Sequence, residues 1–290
     1  MNPIGIHALV WVGGSTPTEM EYAIASTREA GYDLIEFPVF DPSSIDVAAT
    51  SRALRAHELG ARCSLGLSRD TDISSDDPGV VARGERLLGD AISVARDIGS
   101  PYVGGVIFSA LTKYMEMPTT LGRDHAAGAL RRLAEKAAAS DITLGLEVVN
   151  RYETNLLNTA QQALSFIELI GAANVVVHLD TYHMNIEETD FRTPVLACGD
   201  RLGYVHVGEN FRGYLGTGTV DFPQLFAALA DIGYQGTITF ESFSSAVVDP
   251  GLSRTLGIWR NVWSDSMDLA RQARRYIADS LATVAMPTHA

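Results

Sequence analysis

Glu147 lies inside an apolar run, Leu144 to Val149, where no water can solvate its charge. A buried carboxylate without a partner is very costly, so the run calls for one nearby, most economically a metal ion or a fixed proton donor. Three further residues repeat the situation. Asp180 closes the run VVVHLD, His206 sits near the end of LGYVHV, and Glu241 directly follows TITF. They follow Glu147 at spacings of 33, 26 and 35 residues, each about one strand-plus-helix unit. Four consecutive strands would therefore deliver one hard ligand apiece to a common end. Three carboxylates and one imidazole suit a divalent cation that prefers oxygen. Mn2+ or Mg2+ fits best, Co2+ would also serve, and zinc is an option. Taken singly, each residue fits equally well as a hydrogen-bonded polar side chain at a strand end; the four together do not.

A second tier surrounds these positions. Glu153 follows Glu147 in the loop, His183 stands three residues past Asp180, and Arg212 lies in the loop after His206. Such groups could fix hydroxyls by charge-assisted hydrogen bonds, or be solvated loop charges. His178 alternates in phase with Asp180 and reads as a hydrogen-bonded neighbour before a fifth ligand. Glu36, within the second apolar run, is expected to stand behind the ligands. His7, on the first run, is either pocket wall or core. Trp11, Phe108 and Leu111 are candidate apolar walls, with core packing as the competing role. Trp259 and Trp263, read as one helical turn apart, suggest packing or a subunit contact. GTGTVDF, residues 216–222, invites a phosphate reading, but it lacks the Lys-Ser/Thr ending of a phosphate loop, and Asp221 would repel an anion. A plain Gly-rich turn is the better reading.

The elements that must position these groups alternate regularly. Strands are expected at Ile4 to Val12, Leu34 to Val39, Arg62 to Leu67, Tyr102 to Phe108, Leu144 to Val149, Val175 to Asp180, Leu202 to Val207 and Thr237 to Phe240. Helices follow each, opened by caps such as Thr16-Pro17-Thr18-Glu19, Asp76 or Asp77 before Pro78, Asn158 or Thr159, and Asp221, and closed by Gly31, Gly60, Gly99, Gly171 and Gly233. An irregular stretch with a short helix at Pro194 to Cys198 follows the sixth strand, and one long helix, Ser253 to Leu281, closes the chain. Eight such units, with no linker or low-complexity segment, imply a single (β/α)8 TIM barrel over residues 1–290 with a frayed tail at 286–290. A doubly wound sheet fits less well, because no Gly-rich dinucleotide fingerprint follows the first strand. In a barrel the C-terminal strand ends carry the chemistry, and there the four candidate ligands would meet.

Composition excludes several classes. The formal charge of -13 argues against sequence-independent binding to nucleic acid or to anionic membranes. Two cysteines, Cys63 and Cys198, give no disulfide framework and suit a cytoplasmic location. No window approaches the ~18 unbroken apolar residues of a membrane helix. The start, MNPIGIHALVWVGG, lacks a basic segment before its apolar run and reads as a strand.

LEVVNRYETN, HLDTYHMN, HVGENFRGYLGTG and GYQGTITFESF, taken in order, resemble the ketose 3-epimerases of the D-tagatose 3-epimerase and D-allulose (psicose) 3-epimerase type, within the xylose isomerase-like barrels. The motifs span Leu144 to Phe243. The resemblance implies a divalent metal on Glu147, Asp180, His206 and Glu241, with Glu147 and Glu241 as the acid/base pair. It implies contacts from Glu153, His183 and Arg212 to a free ketose, and a homodimer or homotetramer. His7 and Leu111 would line the far end of the sugar. Members of the family often carry a Tyr near the first position and an aromatic residue at the second, so the resemblance does not choose among ketohexoses and ketopentoses. The implied chemistry removes the C3 proton next to a polarised C2 carbonyl with one glutamate and returns a proton to the opposite face with the other. Three rivals share the expected fold. An aldose–ketose or hydroxypyruvate-type isomerase would move the proton between C1 and C2. A metal-dependent DNA-repair endonuclease would want a basic face and more histidines. A non-catalytic sugar-binding barrel would turn nothing over.

Overall fold

The computed structural model describes residues 2–285, so the expectation for the tail at 286–290 lies outside the described residues. Among the described residues, parallel strands close a barrel in sequence order: β1 (Ile4–His7), β2 (Leu34–Pro38), β3 (Gly60–Leu67), β4 (Tyr102–Ala110), β5 (Thr143–Val148), β6 (Val175–Asp180), β7 (Leu202–Val207) and β8 (Thr237–Phe240). Helices α1 (Pro17–Glu29), α2 (Val47–Ala56), α3 (Pro78–Ile98), α4 (Thr120–Ala138), α5 (Ala160–Ile170), α6 (Thr181–Glu187), α7 (Thr193–Cys198), α8 (Phe222–Asp231), α9 (Pro250–Leu256) and α10 (Ser266–Ala285) surround or cap it. β1 pairs with β8, which completes the ring. The fold is the expected TIM barrel.

Local chemistry accounts for the boundaries. Thr16 and Glu19 form a reciprocal capping box at the start of α1, and Asp77, Thr159 and Asp221 each accept a backbone N–H at the start of α3, α5 and α8. Each cap satisfies a donor that the helix itself leaves unpaired. Strands buried on both faces read as continuous apolar runs because helices cover their outer side.

Three expectations need correction. The first strand ends at His7 and not at Val12: the His7 Nδ1 accepts from the Leu9 backbone at 3.3 Å and turns Ala8–Val10 into a 3-10 segment. The stretch after β6 is not irregular. Asp180 caps α6 by accepting from the Tyr182 N–H at 2.8 Å. The last helix is two helices. Gly257, at φ 68°, ends α9 in the left-handed conformation, and residues 257–265 run as a loop to α10. Trp259 and Trp263 therefore do not share a helix face. The Trp263 indole is buried and donates to the Ser242 hydroxyl at 2.8 Å, whereas Trp259 is exposed.

The barrel interior below the strand ends is aromatic and polar. Tyr102 and Tyr204 stack at 4.3 Å, and His178 meets Tyr204 edge-on at 4.8 Å. Tyr102 can cross the barrel because residue 145 is glycine: a Cβ there would fall on the Tyr102 hydroxyl. Trp11 and Phe108 are core residues, which corrects the expectation that they form apolar walls of a cavity.

Candidate metal centre and substrate cavity

β5, β6, β7 and β8 bring Glu147, Asp180, His206 and Glu241 to one place. The register puts Asp180 directly beside His206. One donor atom from each of the four residues lies within 4.8 Å of the donors of the others, and all four side chains are nearly or fully buried. His206 Nδ1 is 3.3 Å from Glu147 Oε1 and 3.5 Å from Glu241 Oε1.

The orientation of His206 comes from behind. Its Nε2 lies 2.9 Å from Glu36 Oε2, and the Tyr204 hydroxyl donates to the same oxygen at 2.7 Å. Burial works against the Glu36 charge, but the neighbouring imidazoles, His206 foremost, hold its carboxyl well below the usual range. An ionised carboxylate only accepts, so Nε2 carries a proton and Nδ1 faces the three acids. Histidine ligands are commonly fixed by a carboxylate in this way.

The donor set fits a divalent cation. His206 Nδ1 is buried without a hydrogen-bond partner, and Asp180 Oδ2 has only its ion pair with Arg212. Burial raises Glu147 to about 7, with His206 only partly offsetting it. Burial raises Asp180 to about 6, opposed by Arg212. Burial would also raise Glu241, but the His206 and Arg212 charges outweigh it and hold this carboxyl below its ordinary value. On His206 burial opposes the charge, yet Glu36 and Glu241 push the imidazole well above its ordinary value. Three crowded acids are thus short of positive charge, and a cation bound by oxygen would supply it. His178 converges with Glu147 and His206 but not with the full quartet. The Tyr102 hydroxyl lies 3.1 Å from its Nδ1, which suits the expected role of hydrogen-bonded neighbour.

The second tier lines the same cavity. Arg212 reaches Asp180 Oδ2 at 3.2 Å and Glu241 Oε2 at 2.7 Å, and its guanidinium lies over Tyr182 and Phe243. Its backbone is left-handed at φ 61°, a conformation that costs energy outside glycine and collects at functional sites. Gly208 leaves the space: a Cβ there would lie 2.9 Å from Arg212 Nη1. On His183, Nδ1 accepts from the Asn150 backbone at 3.2 Å and from its side chain at 2.9 Å. With both donors on Nδ1, the proton sits on Nε2, which points at Asp180 and Glu153, 3.5 and 3.9 Å away. Burial, with the Arg212 charge, keeps this imidazole neutral. Burial likewise raises Glu153 to about 7.

The cavity above these groups has a volume of about 360 Å³. His7 and Leu111 line it, as do Glu153, His183 and Arg212. His7 Nε2 lies 3.3 Å from the Ser64 hydroxyl. Residue types alone did not single out Phe40, Ser64, Tyr182 or Phe243, which also line it. Tyr182 and Phe243 lay within quoted motifs and could have been found there. Phe40 and Ser64 carried no such signal.

The family model for xylose isomerase-like TIM barrels matches residues 24–278. A ketose 3-epimerase from Arthrobacter globiformis is 51% identical over 281 residues, covering 97% of each chain. The chain belongs to the ketose 3-epimerases of this barrel family. An L-ribulose 3-epimerase from Methylomonas sp. (strain DH-1) is 52% identical over 273 residues, covering 94% of this chain and 96% of that one. A D-allulose 3-epimerase from Methylomonas sp., solved in complex with D-allulose, superposes with a TM-score of 0.95 at 50% identity and covers 96% of this chain and 97% of that chain. Against this family background, the quartet on β5 to β8 and the cavity above it are the place to look for the chemistry.

Proposed function

We propose that this barrel epimerises free ketoses at C3, with substrates of the D-fructose/D-allulose, D-tagatose or L-ribulose type. The observation that carries the reading is the convergence of two glutamates, an aspartate and a carboxylate-oriented histidine beneath a sugar-sized cavity, in a chain about half identical to ketose 3-epimerases. Glu147, Asp180, His206 and Glu241 would hold one divalent ion, Mn2+ or Mg2+ by their oxygen-rich character, with Co2+ able to serve. When bound, the ion supplies Lewis acidity that polarises the C2 carbonyl and offsets negative charge on the substrate oxygens.

The remaining work falls to the chain. One of Glu147 and Glu241 removes the C3 proton, and the other delivers a proton to the opposite face. Burial raises the basicity of Glu147, which suits this carboxylate to taking up a proton. The two roles exchange in the reverse reaction. Arg212, as a permanent donor, and neutral His183, through its Nε2–H, would hold substrate oxygens. Glu153 would accept from a hydroxyl. His7 and Leu111 bound the far end of the sugar. Glu147, Asp180, His206 and Glu241 lie almost wholly out of water, where fixed charges and donors act most strongly on the transition state.

Cys63 and Cys198 are free and buried, which suits a cytoplasmic enzyme. A homodimer or homotetramer would cover the exposed Met115 and Met117 beside Tyr152, where the loops after β4 and β5 meet. The reading is tested by incubating the metal-loaded protein with D-fructose, D-allulose, D-tagatose and L-ribulose and identifying products. C3 epimers are expected. An aldose without a C3 epimer would assign the barrel to aldose–ketose isomerisation instead.

A further inference from the structure

The substrate cavity does not end where a ketohexose ends. It adjoins a second cavity of about 820 Å³, within the range of about 300–1,000 Å³ typical of ligand sites. Leu9, Phe40, Gly66 and Leu111 line both spaces and form the boundary between them. Gly66 helps keep that boundary thin: a Cβ there would lie 2.6 Å from Leu111 Cδ2, so its absence lets Leu111 fold back against β3.

The outer walls are more apolar than polar but carry hydroxyls, a mixture that suits the C–H face and the hydroxyls of a sugar. Ser15, Ser44, Ser68, Thr71, Thr112 and Thr255 bring hydroxyls, with Arg69, Asp41 and Asp249 among them. Two large aromatic side chains that line the inner cavity are also exposed. Phe40, 40% exposed, stands at the boundary, and Trp259, 72% exposed, stands on the rim of the inner cavity. An exposed aromatic face beside hydroxyl groups offers a pyranose a surface for its C–H face and partners for its hydroxyls.

Topology sets the direction of the substrate. The quartet comes from β5 to β8, while the boundary residues follow or belong to β1, β2, β3 and β4. A ketose with C2 and C3 at the acids has one end among Glu153, His183 and Arg212. Its other end must point across the barrel to the boundary. One carbon lies beyond C2 and three lie beyond C3, so the C4–C6 end is the one long enough to reach the boundary and face the outer cavity.

We propose that the enzyme also epimerises ketoses carrying a second sugar on the terminal C6 hydroxyl, with that sugar seated in the outer cavity. This rests on the C3-epimerase reading. The C3–H bond breaks to one glutamate, and a proton from the other makes a C3–H bond on the opposite face. The glycosidic bond is untouched, and the product is an isomer of equal mass.

The test uses metal-loaded protein with D-fructose, isomaltulose (glucose on O6 of fructose) and trehalulose (glucose on O1). Products are cleaved with an α-glucosidase and scored for D-allulose. D-allulose is expected from D-fructose and isomaltulose and not from trehalulose. Ser44→Trp and Thr255→Trp, exposed positions that fill only the outer cavity, should lower kcat/KM for isomaltulose by about 10–200-fold, as steric exclusion from a pocket does, and leave D-fructose unchanged. Turnover of D-fructose without isomaltulose overturns the proposal. Equal turnover of trehalulose overturns the assigned direction. Equal slowing of both substrates by the two variants removes the outer cavity as the seat of the second sugar. No turnover of D-fructose sinks the underlying C3-epimerase reading instead.

Discussion

Lowering the pH should strip the proposed ion from the barrel with a steep and calculable slope. In the metal-free site burial raises Glu147 to about 7 and Asp180 to about 6, and Glu36 and Glu241 overcome burial to keep a proton on His206. A cation can bind only the deprotonated forms, so each loading event releases the protons these groups hold. Between pH 7 and pH 6 the two acids together hold on average about one proton, and the proton that Glu36 and Glu241 favour on His206 adds to the release. The sign follows: affinity rises with pH across this window and falls as pH drops. One proton corresponds to a loss of about 10-fold in affinity from pH 7 to pH 6, and release from His206 makes the fall steeper. Calorimetric titration with Mn2+ at both pH values, in two buffers of different ionisation enthalpy, measures affinity and proton release together. A Kd that does not change between pH 7 and pH 6, with no proton release, would refute the electrostatic description of the quartet.

Other outcomes follow from the same geometry. Glu36→Gln removes the charge that holds His206 Nε2 at 2.9 Å and should weaken Mn2+ binding by about 10–100-fold while the barrel still folds, checked by calorimetry and circular dichroism. Glu147→Gln and Glu241→Gln should each reduce kcat by about 100-fold or more even at saturating metal, since each removes one proton-transfer group; unchanged kcat in either would end its assigned role. Arg212→Lys loses the fork that reaches Asp180 and Glu241 at 3.2 and 2.7 Å and should lower kcat/KM by about 10–100-fold, measured by steady-state kinetics on D-allulose.

Much of this architecture was legible in the sequence because its signals are local. Asp221 before the run Phe222 to Asp231 gave α8, the Asp76-Asp77-Pro78 stretch gave α3, and the apolar runs of β6, β7 and β8 gave their own bounds. The convergence of Glu147, Asp180, His206 and Glu241 was legible because a barrel converts a repeat spacing into a shared end. What failed was decided by tertiary contacts. Four of the seven residues of α6, Thr181, Tyr182, His183 and Asn185, are poor helix formers, and the Asp180 cap starts it. The break between α9 and α10 hides in a sequence whose spacing also suits one helix; Gly257 and the Trp263 hydrogen bond to Ser242 decide it. His7 ends β1 by bonding its own backbone two residues on. The outer cavity had no sequence signal, because it lies between loops that follow different strands and the start of α9.

The central claim is proton exchange at C3 and nowhere else. The most direct measurement is NMR of D-allulose incubated with the metal-loaded enzyme in D2O. Deuterium at C3 of both D-allulose and D-fructose, with none at C1, is the expected result. Deuterium at C1, or an aldose product, would contradict it.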